Sequence, residues 1–287
     1  MRGAVMMTNL QGKVALVTGG SRGAGRGIAL ELAKAGAYVY ITGRSRGLSQ
    51  EDRRKGTIDS VLDEMRAAGG DGEAICCDHT RDNETEAAIR RISSEQGRLD
   101  ILVNNVWGGN ERPIESKPFW ELPPDHWSHM FDAGVRAQLM TNYYAVPLMR
   151  STRKDGGIII HTTYWDHYKY IDNFYYDLAK NALVRMAFGL SVELAADRIA
   201  VIPLSPGWMR TELVLESLDT DEEHWQEVTE LQASESTAYI GRAVVRLAAD
   251  PEVMSMTGIP QQVGSLAAKY GFTDVDGRLV PVFKVPE

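Results

Sequence analysis

A chain of 287 residues has room for one large α/β domain or two small ones. Hydrophobic residues at 44% and charged residues at 24% give an ordinary soluble balance, with no apolar run near the ~20 residues that span a bilayer. The net charge of −8 argues against a protein that grips a nucleic-acid backbone, and leaves basic residues as local tools for small phosphates. Met1 to Gln11 lacks the apolar core and cleavage pattern of a signal peptide, with Met6 and Met7 as alternative starts. The expected location is cytoplasmic. Adjacent Cys76 and Cys77 lie in a strand-like segment and point to opposite faces; they read as small buried residues rather than a redox pair. The six histidines lack metal-ligand spacing, so no metal is expected.

Lys13 to Thr18 predicts a strand, Arg26 to Ala35 a helix and Ala37 to Thr42 a second strand. Helix Ile58 to Ala68, strand Ala74 to Cys77, helix Asn83 to Gln96 and strand Leu99 to Val103 follow. An irregular stretch from Trp107 to Pro124 leads into a long helix, about Asp125 to Arg150. Strand Ile158 to Thr162, helix Phe174 to Leu194 and strand Ile199 to Leu204 continue the alternation, and Gly258 to Val263 is the expected last strand. Regular β-α-β alternation without a linker predicts α/β architecture: a single doubly wound domain over residues 1–287, with a seven-stranded parallel sheet flanked by helices.

Directly after the first strand runs Thr18-Gly19-Gly20-Ser21-Arg22-Gly23-Ala24-Gly25, opening a helix. Strand, glycine turn and helix N-terminus bring backbone N–H groups and the positive dipole end to one point, a site for pyrophosphate. Gly19, Ser21, Arg22, Gly23 and Gly25 are the candidate contacts. The second strand ends at Thr42-Gly43-Arg44-Ser45-Arg46, with no acid before Glu51 to hold a ribose 2′-hydroxyl. A guanidinium there holds a 2′-phosphate, so Arg44, helped by Arg22, predicts NADP(H).

Tyr176-Asp177-Leu178-Ala179-Lys180 stacks tyrosine and lysine on one helical face. A free phenol titrates near 10; a neighbouring ammonium favours phenolate and would lower that value. The glycine turn, YxxxK, Asn104-Asn105 after the fourth strand and Pro206-Gly207-Trp208-Met209-Arg210-Thr211 after the sixth occur together. In this combination the chain resembles the short-chain dehydrogenase/reductase superfamily over roughly residues 10–265. It is most similar to the branch called dehydrogenase/reductase SDR family member 1, through Lys117-Pro118-Phe119-Trp120-Glu121, Gly134-Val135-Arg136 and the tail from Tyr270 to Arg278.

The resemblance implies a Rossmann-type fold and hydride transfer between a nicotinamide and a carbonyl or alcohol carbon. It casts Tyr176 as the proton-transfer residue, and Lys180 as the residue that binds the nicotinamide ribose and depresses the tyrosine. It puts Thr163 in the position of the family's catalytic serine, thirteen residues before Tyr176. It also implies cofactor contacts from Asp78 to adenine, Asn105 beside the adenosine ribose, and Met209 and Thr211 at the carboxamide and a phosphate. Members commonly form dimers or tetramers, so a homo-oligomer is expected. The chain departs from the family pattern in three places: Gly134 stands where a relay asparagine is usual, Trp107 where a glycine is, and Thr163 where a serine is.

Trp107, Tyr164, Trp165, Tyr168, Tyr170, Phe174, Tyr175 and Trp208 flank the expected nicotinamide site and suggest an apolar carbonyl or alcohol substrate. His161 and His167 read as packed or solvated. Acidic, helix-patterned residues 211–231 read as a lid insertion and residues 266–287 as a C-terminal extension. The faintly calcium-like Asp274-Val275-Asp276-Gly277 reads as a structural turn at a subunit contact or over the pocket. A competing reading keeps the NADPH site without turnover, as a sensor or scaffold: Gly134 and Trp107 favour it, whereas Tyr176, Lys180 and the Thr163 hydroxyl favour an enzyme. Reduction of an activated C=C bond is a third.

Overall fold

A computed structural model describes residues 8–46, 56–109, 114–151, 156–166 and 169–284. Glu51, His167 and Tyr168, singled out above, lie outside the described residues. Strands β1 (Val14–Val17), β2 (Tyr38–Gly43), β3 (Asp71–Cys76), β4 (Ile101–Asn104), β5 (Gly157–Thr162), β6 (Ile199–Ser205) and β9 (Gln261–Gln262) form one sheet, ordered β3-β2-β1-β4-β5-β6-β9. Every pairing in it is parallel. The central strands β1, β4 and β6 are nearly continuous runs of Val, Ile, Leu and Ala because both faces are covered.

Alternate residues serve opposite layers. Ala15 and Val17 join a core with Ile28 and Leu32 of α1 (Gly23–Lys34) and Ile58, Val61 and Met65 of α2 (Ile58–Ala67). Val14 and Leu16 face the other layer, with Ile89 and Ile92 of α3 (Asp82–Gln96), Ala145 and Leu148 of α4 (Ala137–Ser151) and Ala187 of α5 (Phe174–Glu193). The chain reverses direction across the sheet between β1 and β4, so their C-terminal ends frame a crevice, the usual ligand position in open α/β sheets. The architecture is a single Rossmann-like α/β domain.

Some expectations need correction. The first part of the long helix is π-helical, Ser128–Arg136: the Ala137 N–H bonds to Asp132 O, five residues back, before α4 begins. The last strand shrinks to Gln261–Gln262, because Gly258 turns with positive φ and Pro260 has no N–H to give a ladder. Residues 211–231 hold only one helical stretch, α6 (Glu212–Ser217), then short 3-10 turns gathered round Leu215, Trp225 and Leu231. Helical periodicity there reflected three apolar anchors, and a left-handed Asp219 breaks the helix. Cys77 is buried as expected, but Cys76 is exposed at the end of β3.

The extension is part of the core. After α8 (Val263–Tyr270), Phe272 and Val280 are buried. Asp274 accepts hydrogen bonds from the Ser236 backbone and hydroxyl, between β8 (Glu235–Ser236) and α7 (Thr237–Ala249), and Val280 O accepts from the buried Tyr239 hydroxyl.

Candidate active site

The glycine turn is shaped by contacts that exclude side chains. Gly19 has φ 68°, a left-handed conformation natural to glycine. A Cβ on Gly25 would lie 2.2 Å from Gly19 O and 2.6 Å from Asn105 Nδ2, so only glycine fits. Asn105 ties β4 to this turn: its Nδ2 donates to Thr18 O at 3.2 Å and Gly19 O at 3.0 Å. Ser21 is half-buried and Arg22, at the cap of α1, is exposed without a side-chain capping bond. The Gly23 N–H donates to Glu212 Oε2 at 2.8 Å. An anionic oxygen thus already sits on the helix N-terminus, where the dipole favours negative charge. Sequence reasoning missed Glu212; it directly follows Thr211, whose methyl approaches Gly23.

Beyond the turn, Arg44 is exposed just past β2 and Asp78 follows β3. Burial raises the Asp78 carboxyl, but hydrogen bonds from Thr80 and the charges of Arg44 and Arg81 outweigh it and hold it below the usual range. Arg44 and Asp78 therefore share one edge of the crevice.

The catalytic candidates meet at the start of α5. Buried Asn173 caps this helix, accepting from the Tyr176 N–H at 3.0 Å while its own amide donates to Glu115 O. This fixes Tyr176 in the first turn, with Lys180 one turn later. Burial pushes the Tyr176 phenol up, reinforced by Tyr164 and Asp177. Lys180 is not among the groups that act on this phenol. The Lys180 amine is itself pushed down to about 7 by burial. Its ammonium lies 3.8 Å from the Trp107 ring centroid and 5.6 Å from that of Tyr176. Thr163 is brought to the same place, but its hydroxyl donates to Lys180 O at 2.7 Å. As placed, that proton serves the backbone rather than a substrate oxygen.

A buried polar chain supports this floor. Asn104 Nδ2 donates to Asn142, whose amide meets His161 Nε2, while His161 Nδ1 pairs with Gln138 and Gln138 donates to Val106 O. Burial holds His161 neutral, down to about 3, so it is a packed histidine as expected. Tyr164, beside Tyr176, has a buried hydroxyl with no hydrogen-bond partner among the described residues. It also lines a cavity of ≈ 310 Å³ with Trp165, Asp166, Tyr170, Asp177 and Asn181. Tyr170, Phe174 and Trp208 are exposed, with the Phe119 ring tilted against Phe174.

The Pro206–Thr211 segment rests on charge. Met209 pairs with Glu235 across β7 (Met209–Arg210) and β8, and Thr211 caps α6 by accepting from Val214 N–H. Fully buried Arg210 stacks 3.7 Å from the Trp225 ring, donates to Ser234 and lies 3.8 Å from Asp274 of the extension. Burial pushes Glu235, behind Gly207, up to about 8, against the pull of the Gly207 amide and Arg210.

Comparison with known proteins places this arrangement. A family described as short chain dehydrogenase matches residues 13–222. Human dehydrogenase/reductase SDR family member 1 is 34% identical over 283 residues, covering 96% of this chain and 87% of its own. The crystal structure of a short chain dehydrogenase from Burkholderia cenocepacia in complex with NADP is similar at 26% identity and TM-score 0.70, over 88% of this chain and 97% of that one. A 7α-hydroxysteroid dehydrogenase complexed with NADH and 7-oxo glycochenodeoxycholic acid is similar at 25% identity and TM-score 0.72, over 89% and 94%.

Proposed function

We propose, from the premise that the chain belongs to the short-chain dehydrogenase/reductase family, that this oxidoreductase of alcohol and carbonyl groups uses NADP(H) and passes its proton through Tyr176. The observation that carries the reading is the meeting of Tyr176 and Lys180 on one helix face beside Trp107. The cradle fits a dinucleotide: Gly25 admits no side chain, and the α1 N-terminus binds a carboxylate oxygen at 2.8 Å. Gly19, Ser21, Arg22 and Gly23 would hold the phosphates, Asp78 the adenine, Asn105 the ribose beside it, and Met209 and Thr211 the carboxamide end. When bound, the cofactor supplies or accepts the hydride.

Lys180 orients the nicotinamide ribose through N–H donors that no oxygen among the described residues occupies. Tyr176, kept protonated by burial, gives its hydroxyl proton to the developing alkoxide during reduction and takes it back in oxidation. Thr163 polarises the substrate oxygen once its hydroxyl turns from Lys180 O. Residues 211–231 act as the lid, with Glu212 its latch on α1. Exposed Trp208, Tyr170 and Phe174 favour an apolar substrate. Exposed Leu139 and Tyr143 on α4 and Phe188 and Val192 on α5 suit burial against a second copy, as a homo-oligomer. Two free cysteines fit the reducing cytoplasm.

NADP(H) preference rests on Arg44. A carbonyl and alcohol panel followed by nicotinamide absorbance should show turnover with NADPH well above that with NADH. Arg44→Asp should reverse the preference by repelling a 2′-phosphate and accepting from a 2′-hydroxyl. Equal use of both cofactors by the parent chain would refute the assignment.

A further inference from the structure

Trp107 and Gly134 are separate departures in sequence and a single contact in space. A Cβ on Gly134 would stand 2.7 Å from Trp107 Cε3 and Cζ3, and one on Gly109 would stand 2.6 Å from Cε2, Cζ2 and Nε1. The indole is therefore seated between two backbones that must lack side chains, and asparagine at 134 would evict it. Gly134 lies in the π-helical segment, whose wider turns recur at functional sites. The Lys180 ammonium stands over the ring, 3.8 Å from its centroid and well inside cation–π range, and the Tyr176 ring meets it in a T-shaped contact at 5.6 Å.

We propose that Trp107 is a positioning residue for Lys180: its indole face, admitted by Gly134 and Gly109, holds the ammonium in place beside Tyr176. The proposal rests on the assignment of Tyr176 and Lys180 above. Among the described residues no charged group acts on the lysine: Tyr176 stands beside it on its own helix, and the Thr163 hydroxyl after β5 bonds its backbone oxygen. Burial pushes the lysine down to about 7, and the ring's negative face opposes that loss of charge. Trp107 therefore does electrostatically what a hydrogen-bonding side chain from residue 134 cannot do here.

The test replaces Trp107 alone, in the full chain, with tryptophans carrying successively more ring fluorines. These keep the ring nearly the same size while draining its face of charge. The Lys180 titration midpoint, read by NMR of its ¹³Cε without added cofactor, should fall stepwise by about one pH unit across the series at an unchanged melting temperature. A midpoint that stays fixed across the series overturns the proposal, since a merely structural ring would give that result. Absence of turnover would count against the oxidoreductase reading while leaving this titration readable, so the two failures are separable.

Discussion

Burial keeps the Tyr176 proton on its oxygen and brings Lys180 near neutrality, so the two residues do different work. Tyr176 is in the acid form that the proposed reduction needs. Lys180 carries charge only while pH stays below its lowered value of about 7. If that charge helps hold the cofactor, affinity is full below this pH and falls as pH rises through it. NADPH dissociation constants, measured by fluorescence between about pH 6 and 9, should weaken with rising pH, and Lys180→Met should be weak and flat throughout. The Tyr176/Lys180 pair was legible in sequence because helical periodicity alone puts i and i+4 on one face. The Trp107/Gly134 contact was not: its partners come from a loop and a π-helical segment that only the fold brings together. The Thr163 bond to Lys180 O was equally hidden, since spacing locates a hydroxyl without its direction.

At the scale of elements, the glycine turn was readable from strand, glycines and helix, because the geometry that binds an anion needs those residues in that order. What occupies the turn was not readable. Glu212 reaches it from α6, far along the chain, and puts a carboxylate on the Gly23 amide where a phosphate oxygen would compete. Glu212→Gln removes the charge and keeps the shape. NADPH binding, measured by calorimetry, should tighten about two- to fivefold, the size of a charge at an exposed helix terminus. Unchanged or weaker binding would show that Glu212 does not compete with the cofactor. The helix expected over 211–231 was misplaced for a related reason: periodic apolar residues mark what must be buried, and a turn at Asp219 lets Leu215, Trp225 and Leu231 achieve that without one long helix.

For the whole molecule, strand alternation revealed the doubly wound sheet, since buried parallel strands read as continuous apolar runs. The role of the tail was illegible because it depends on one buried ion cluster. Asp274 and Arg210 are fully buried, and each makes the other tolerable. Asp274→Ala leaves the guanidinium without that partner and strips two hydrogen bonds from Ser236. Urea unfolding should show a loss of about 3–5 kcal/mol. A loss under about 1 kcal/mol, the scale of an exposed pair, would mean the extension is not bolted to the domain as described.

The account as a whole depends on Tyr176. Tyr176→Phe removes one hydroxyl and keeps the ring that packs against Trp107 and Tyr164. With a carbonyl that the parent chain reduces, single-turnover oxidation of bound NADPH should slow by about 10²–10⁴-fold, the usual worth of a positioned proton donor, while NADPH affinity stays within about twofold. A variant that oxidises NADPH at the parental rate would contradict the account.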